Sequence, residues 1–305
     1  MKSSENPKTA RLAVPALIAL ALIWSYNWIV AKAALRYIAP LDFAALRCAI
    51  GALLLLLLLP LTGRSPKPPP GRAVLLIGLF QAAGMIGLSQ LALQTGGAGK
   101  TAVLAYTMPF WVILFTALFF NERPRPSQYA AALLAAAGLL LVLQPWQWQG
   151  TWLSSLLAVA SGASWAAGSV IAKHAFRRQA VDLFALAAWQ TAVGAVALAL
   201  PAVITHDTPI VWSPYLLLAL GFSAALSTAL CWLLWLFVLR ALPAAAAGLS
   251  MLMVPVMSVL WAWWLLGETP DGAEGGGIAL ILLALLLVGL ADNWKPMLRR
   301  VFAAR

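Results

Sequence analysis

Two stretches of nineteen residues, YTMPFWVILFTALFFNERP at 106–124 and LMVPVMSVLWAWWLLGETP at 252–270, follow one plan. Each has a proline at its fourth position, a glutamate thirteen residues later and a second proline two residues after the glutamate. All three landmarks recur after the same interval of 146 residues. We interpret the two stretches as equivalent parts of an internal repeat. The matching pairs are Pro109 and Pro255, Glu122 and Glu268, and Pro124 and Pro270.

The apolar runs of the chain predict an all-α integral membrane protein with ten spans. Hydrophobic residues make up 63% of the 305 residues and charged residues only 10%, whereas soluble domains average about 25% charged residues. This composition excludes a disordered chain, a secreted disulfide scaffold and an ordinary soluble globule. A span takes about 20 apolar residues, and apolar runs without two-residue alternation form helices rather than barrel strands in a bilayer. The runs are 12–31, 42–60, 73–94, 99–120, 127–144, 151–172, 182–204, 214–238, 243–266 and 275–291.

Two further pairs of spans carry the repeat. In the first and sixth spans a tryptophan precedes a lysine by eight residues, and the second and seventh spans each open with an aspartate. We therefore predict a five-helix unit used twice, at 11–145 and 150–292, followed by a basic tail at 293–305. Because five is odd, the second unit enters the membrane from the opposite side, which gives the inverted-topology repeat of many secondary transporters. The landmarks are Trp24 and Lys32 with Trp165 and Lys173, and Asp42 with Asp182.

The distribution of lysine and arginine predicts the orientation of the chain. If the N-terminus is cytoplasmic, 16 of the 20 basic residues fall in cytoplasmic segments, and only Lys32, Arg36 and Lys100 fall outside. Cytoplasmic loops carry such an excess in membrane proteins. We therefore expect a multi-pass protein of the inner membrane with both termini cytoplasmic. The net charge of +11 is explained by this asymmetry, so we expect the lipid bilayer as a partner and no nucleic acid.

The interior of the predicted bundle holds few ionisable groups. Arg47 lies about one and a half turns inside its span, whereas the acidic residues lie at span ends. An ionisable group inside a bilayer is a functional candidate by default, but here no central carboxylate is predicted to relay protons or to balance a cationic substrate. We therefore expect a neutral, zwitterionic or amphipathic substrate. We interpret Cys48 and Cys231 as packing residues. We expect no metal and no cofactor.

Polar and aromatic residues near mid-span are the candidates for substrate binding. Each has an alternative interpretation, because serine and glycine often allow close helix packing and tryptophan often faces lipid. As a set they recur in helices of both halves, and an aromatic cage with a few hydroxyl and amide groups suits an apolar body with a polar head. The candidates are Trp24, Asn27, Trp28, Gln81, Tyr106, Ser164, Trp165, Gln190, Ser227, Ser250 and Met251.

Four landmark residues of the repeat are candidates for gating. Pro109 and Pro255 each remove a backbone donor within a span, which can kink the helix. Glu122 and Glu268 each end a helix and precede a proline. For the glutamates we weigh helix capping or gate packing against a direct role in transport.

These landmarks also carry a resemblance to a known family. The chain resembles the EamA-type members of the drug/metabolite transporter superfamily over about residues 11–292. The matching features are a tryptophan-containing first helix that ends at Lys32, Arg47 in the second helix, Asn121-Glu122-Arg123 after the fourth and Leu266-Gly267-Glu268 after the ninth. The resemblance implies ten helices in two EamA repeats. The tryptophan-rich interior is most similar to the YddG-type exporters of aromatic and other neutral amino acids.

The expected function is therefore a secondary transporter that exports aromatic and other neutral amino acids or related metabolites. The mechanism would be alternating access through a mid-membrane cavity between the two units. An exporter of other amphipathic metabolites or drugs is the alternative within the superfamily. An integral-membrane enzyme needs a cluster of catalytic groups, and a channel usually has charged rings or a polar pore, neither of which the sequence indicates. The coupling ion, the direction of transport and a homodimeric assembly stay open.

Overall fold

The computed structural model describes residues 7–69, 72–120, 123–144, 152–176, 181–205, 208–241 and 251–302. Within these residues the chain forms ten helices, which confirms the predicted helical class and the predicted number of helices. We label the helices α1 to α10. They are α1 Pro7–Ala34, α2 Pro40–Leu61, α3 Ala73–Thr95, α4 Ala98–Phe120, α5 Pro126–Leu143, α6 Trp152–Ala175, α7 Leu183–Ile204, α8 from Pro214 to Ala241, α9 Met253–Leu266 and α10 Gly272–Phe302.

The first eight helices are each long and apolar enough to cross a membrane. The apolar part of α10, Gly272–Leu287, and the whole of α9 are shorter. The predicted ninth run starts at 243, but residues 242–250 lie outside the described part of the chain. At the C-terminus α10 continues to Phe302, so the segment predicted as a basic tail largely extends this helix.

Local sequence explains where several helices begin and end. Proline occupies the first turn of α2, α5 and α8, where its missing N–H costs no hydrogen bond. The Asp182 side chain caps α7 by accepting hydrogen bonds from the N–H groups of Phe184 and Ala185. At the other end of a helix, Gly267 adopts a φ of 67°, the left-handed conformation that commonly terminates a helix, and α9 stops there.

The packing of the helices follows the repeat. Helix α2 packs along α7, α5 along α10, and the first segment of α4 against α9, so each of these helices contacts its own equivalent. The other contacts come in matched sets. Helix α1 packs on α8 and α9, and its equivalent α6 packs on α3 and α4. This is the arrangement expected of one five-helix unit used twice around an approximate two-fold axis.

One end of the bundle, called here the Lys32 end, gathers the C-terminus of α1 and five of the loops, which follow α1, α3, α5, α7 and α9. The Lys32 Nζ donates to the carbonyl oxygen of Leu93 at the end of α3, at 2.6 Å. Gln144 after α5 bonds to Asp271 before α10 at 3.0 Å. The N–H of Val211, between α7 and α8, donates to the carbonyl of Tyr37.

The opposite end, called here the Arg64 end, holds the remaining loops that the structure describes. Arg64, after α2, forms an ion pair with Asp182 before α7. The rings of Phe120 and His174 stack with their centroids 3.4 Å apart, which joins the ends of α4 and α6. Because the start of α7 meets the end of α2, these two equivalent helices run antiparallel. The same holds for α5 and α10, and antiparallel equivalents are the mark of an inverted repeat.

Glycines bring α5 and α10 into close contact. A Cβ atom on Gly277 would lie 2.6 Å from the carbonyl oxygen of Gly138, and a Cβ on Gly138 would lie 2.7 Å from that of Gly277. Only glycine fits at both positions. Small residues allow such close backbone approach between helices in membranes, where the hydrophobic effect contributes little to helix association.

We expect Gly277→Ala to destabilise the bundle, because the added methyl group meets backbone atoms of α5 that cannot swing away. Overpacking of this kind costs about 1–3 kcal/mol. The matched control is Gly276→Ala, since no atom lies within 4 Å of a Cβ at that exposed neighbour. The check is the melting temperature of both purified variants in detergent. Equal melting temperatures for the two variants would contradict the close packing of α5 and α10.

The ionisation of Asp182 gives a pH-dependent prediction. Partial burial opposes its ionisation, but hydrogen bonds from the Phe184 N–H and from Arg64 outweigh burial, so the pKa of the carboxyl lies below its ordinary value. A lowered folded-state pKa adds stability above the unfolded pKa, about 3.9, and this stability is lost as the pH falls through the folded pKa.

We therefore expect Asp182→Ala to lower stability at pH 7 by about 1 kcal/mol, the usual cost of losing an N-cap. The difference from the wild type should shrink below about pH 4. Asp182→Asn keeps a capping oxygen without the charge, so it should retain most of the stability with little pH dependence. Thermal unfolding of the three proteins between pH 3 and pH 7 tests this. A loss of stability in Asp182→Ala that does not depend on pH would rule out a contribution from the carboxylate charge.

Candidate functional site

Helices α3 and α8 each contain a π-helical segment, at Gly78–Gly84 and at Phe222–Leu230. The two segments occupy equivalent positions in the repeat. A π turn widens the helix and shifts its hydrogen bonds, so backbone carbonyls become available to other donors, and such turns are frequent at functional sites. The sequence does not predict these segments, because short π-helical stretches leave no distinctive pattern of residues.

The first helix of the chain meets the π segment of α8 at what we call the α1–α8 junction. The indole Nε1 of Trp24 donates to the carbonyl oxygen of Ser227 at 2.9 Å. The Ser223 hydroxyl donates to Oδ1 of Asn27 at 2.9 Å. An Nη of Arg47 on α2 lies 3.4 Å from the Ser227 hydroxyl oxygen. Three of the predicted substrate-binding residues, Trp24, Asn27 and Ser227, therefore meet here.

The equivalent contact in the other half is the α6–α3 junction. The Ser164 hydroxyl on α6 donates to the carbonyl oxygen of Phe80 in the π segment of α3, at 2.8 Å. One residue later, the Gln81 amide donates to the Ser169 hydroxyl at 2.6 Å. Ser169 in turn donates to the carbonyl of Trp165. Gln81, Ser164 and Trp165 are thus brought together as a second group of predicted residues.

Other predicted residues lie in the packed core or outside the described chain. Trp28 and Tyr106 are buried in the main hydrophobic cluster, and Met251 packs against the same cluster. Gln190 is buried in α7, and its backbone carbonyl approaches Gly78, where the α3 π segment starts. Ser250 lies outside the described residues.

The two prolines of the repeat stand at the start of helical segments. Helix α4 is interrupted at Tyr106 and Thr107 and resumes at Met108, directly before Pro109. Gly162 of α6 lies beside the Ala105 carbonyl, since a Cβ there would be 2.4 Å from that oxygen. The described part of α9 likewise begins at Met253, two residues before the buried Pro255. Helix α4 therefore breaks next to the proline that was predicted to gate it, and the described part of α9 starts next to the equivalent proline.

Glu268 caps a helix of the other half. Its carboxylate accepts hydrogen bonds from the N–H groups of Ala98 at 2.8 Å and Gly99 at 3.1 Å. These groups start α4, whose own N-cap residue, Gly97, has no side chain to supply a cap. A carboxylate at a helix N-terminus also meets the favourable end of the helix dipole. The equivalent Glu122 lies outside the described residues.

Lys32 and Glu268 also line a cavity of about 380 Å³ at the Lys32 end, together with Arg36 and Gln94. A second cavity of about 240 Å³ lies beside it, and Glu268 contributes to both. The sequence analysis placed the substrate cavity at mid-depth, and that placement stays a prediction. Lys32, which lines this cavity, was not among the predicted site residues, although it is a landmark of the repeat.

The indole hydrogen bond of the α1–α8 junction can be tested by Trp24→Phe. The variant keeps an aromatic ring but leaves the Ser227 carbonyl of the π segment without this donor, which costs about 1 kcal/mol. We expect a lower melting temperature than for Trp263→Phe, since Trp263 is 60% exposed. Thermal unfolding in detergent compares the two variants. If both melt at the wild-type temperature, the junction does not depend on this bond.

Many secondary transporters are bundles of two inverted halves with irregular helices at the contacts between them, and the helices described here follow that arrangement. The EamA-like transporter family matches residues 11–144 and 152–290. The chain therefore belongs to the EamA-like transporter family, which places it among transporters of small metabolites and not among enzymes.

Several curated proteins are similar over much of the chain. The uncharacterized transporter YoaV of Bacillus subtilis is 28% identical, with 89% of this chain and 92% of that protein covered. The riboflavin transporter of Rhizobium johnstonii is 33% identical, with 66% and 67% covered. The threonine/homoserine exporter RhtA of Salmonella typhimurium is 29% identical, with 84% of each chain covered. A solved crystal structure with a TM-score of 0.65 is 21% identical over 92% of this chain and 98% of its own, and shows the fold.

Proposed function

We propose that this transporter exports aromatic and other neutral amino acids across the inner membrane by alternating access. The observation that carries the proposal is the pair of equivalent junctions, where the first helix of each unit bonds to the π segment of the other. A rocking motion between two units needs contacts that can open in turn, and the repeat supplies two such contacts.

The side chains of the junctions fit a solute with an apolar body and a polar head. Trp24 offers an indole face, and its ring lies 6.4 Å from that of Trp235. Asn27, Ser223 and Ser227 offer amide and hydroxyl groups at the same place. Binding sites for small molecules combine apolar and aromatic surface with a few polar groups of this kind.

Contacts at the Lys32 end would have to separate when that end opens. Glu268 of the second unit holds the start of α4 in the first, and Lys100 on α4 forms an ion pair with Glu274 on α10 at 3.5 Å. We assign this end to the outside, and the Arg64 end and both termini to the cytoplasm, on the distribution of basic residues. Pro109 and Pro255 then serve as hinges in the helices that carry the gate.

Similar proteins supply further support for the substrate class. RhtA is named for the export of threonine and homoserine, and another relative in Salmonella typhimurium, 25% identical, is a probable amino-acid metabolite efflux pump. The second candidate is export of a larger amphipathic metabolite. It is favoured by the riboflavin transporter, which has the higher identity over a shorter region.

The test is flux in liposomes that contain the purified protein. We expect saturable uptake of radiolabelled phenylalanine, tryptophan, leucine or threonine, competed by unlabelled aromatic amino acids. Replacing both Trp24 and Trp165 by alanine should lower the flux. Replacing the exposed Trp263 and Trp264 by alanine is the control and should leave it unchanged. Uptake of riboflavin without any amino acid would support the second candidate, and no flux of either would overturn the proposal.

A further inference from the structure

We propose that Arg47 is the residue that recognises substrate, and that the group it binds is a carboxylate. The inference rests on the proposed function, because it names the charged group that the α1–α8 junction receives.

Arg47 lies well inside the helical span of α2, which runs from Pro40 to Leu61. Its neighbours Phe43, Ala44 and Cys48 on the same helix are fully buried. Helix α2 packs against the π segment of α8, and Arg47 reaches Ser227 within that segment. The guanidinium group therefore enters the same junction as Trp24, whose indole bonds to the carbonyl of Ser227.

The hydrogen-bonding capacity of Arg47 is largely unused. A guanidinium group carries five N–H donors and no acceptor. The described contact is one long hydrogen bond of 3.4 Å from an Nη to the Ser227 hydroxyl. The Nε atom is buried and has no hydrogen-bond partner among the residues that the structure describes. Buried polar groups are normally paired, and an unpaired one calls for an explanation.

The charge of Arg47 is also unbalanced within the described part of the chain. The ion pairs found there join Arg64 to Asp182 and Lys100 to Glu274, both at helix ends. The ionisable groups that interact electrostatically with Arg47 are the thiols of Cys48 and Cys231, which are mostly neutral at pH 7. An isolated charge in a membrane interior is costly, and such residues mark substrate pathways.

A bound carboxylate supplies both the missing hydrogen-bond acceptor and the missing negative charge. Its two oxygens match the planar fork of a guanidinium, so a bidentate pair satisfies Nε and one Nη and balances the charge. The second half of the chain has Leu186 and Ala187 in the equivalent region. The site is therefore single, and one substrate carboxylate per cycle binds on the α1–α8 side.

The experiment compares phenylalanine with phenylalaninamide, whose carboxylate is replaced by a neutral amide. Both unlabelled compounds are tested as competitors of radiolabelled phenylalanine uptake into liposomes. For the wild type we expect competition by phenylalanine and little by the amide. Arg47→Gln should raise the KM for phenylalanine by about tenfold or more, as expected for loss of a charge-assisted pair. It should also remove the preference for phenylalanine over its amide.

Two further variants separate recognition from a structural role. Arg47→Lys keeps the charge without the fork and should give an intermediate preference. Arg72→Gln, at an exposed arginine before α3, is the control and should behave as the wild type. If Arg47→Gln does not fold, the lysine variant decides the question, because an unchanged preference in a folded lysine variant would overturn bidentate recognition.

The outcomes distinguish this inference from the proposed function. Wild-type uptake of phenylalanine with an equal preference in Arg47→Gln overturns the inference and leaves the transport proposal standing. Uptake of riboflavin alone, or equal competition by the amide in the wild type, also overturns it. If no solute is transported, the thermal stability of the protein in detergent tests whether Arg47 binds the carboxylate. Stabilisation of the wild type by phenylalanine over its amide, lost in Arg47→Gln, supports the inference, and no stabilisation overturns it.

Discussion

The constraint on which this structure depends is that backbone groups inside a membrane must find partners within the protein. Regular helices meet this requirement by themselves, but α3 and α8 depart from regularity in their π segments. The carbonyls of Phe80 and Ser227 in those segments are met by side chains of α6 and α1. Each irregular helix is therefore completed by the first helix of the opposite unit. The two halves cannot separate at these places without exposing a carbonyl or supplying another donor.

The inverted repeat turns this local requirement into a matched pair of contacts. Because the equivalent helices run antiparallel, a motion that strains the α1–α8 junction need not strain the α6–α3 junction in the same way. The two equivalent junctions can then open alternately, as alternating access requires. Arg47 is the exception to the symmetry, since the second unit has no basic residue in its place. This asymmetry agrees with the proposed role of Arg47 in ligand recognition.

Much of the fold could be predicted from the sequence, because its signals are local. Apolar runs, prolines at helix starts and the aspartate before α7 each act on the residues beside them. The recurrence of Pro-Glu-Pro at one interval revealed the repeat.

The sequence could not reveal the π segments, because a widened turn depends on the helices packed around it. It also could not reveal that Glu268 caps α4, since that contact spans 170 residues of chain. Among the candidate site residues, Trp24 and Asn27 lie at the α1–α8 junction, whereas Trp28 lies in the core.

At the Lys32 end, charged side chains bond to the free backbone groups of helix termini. The turn between α3 and α4 leaves free carbonyls on one side and free N–H groups on the other. Lys32 donates hydrogen bonds to the carbonyl oxygens of Leu93 and Gln94. The Glu268 carboxylate accepts hydrogen bonds from the N–H groups of Ala98 and Gly99. Each charge faces the helix end of opposite partial charge, so both contacts are favourable. Water can replace either contact once the end is open, because this turn lies at a helix end and not at mid-depth. Under the proposed mechanism, such interactions hold a gate shut without making its opening prohibitive.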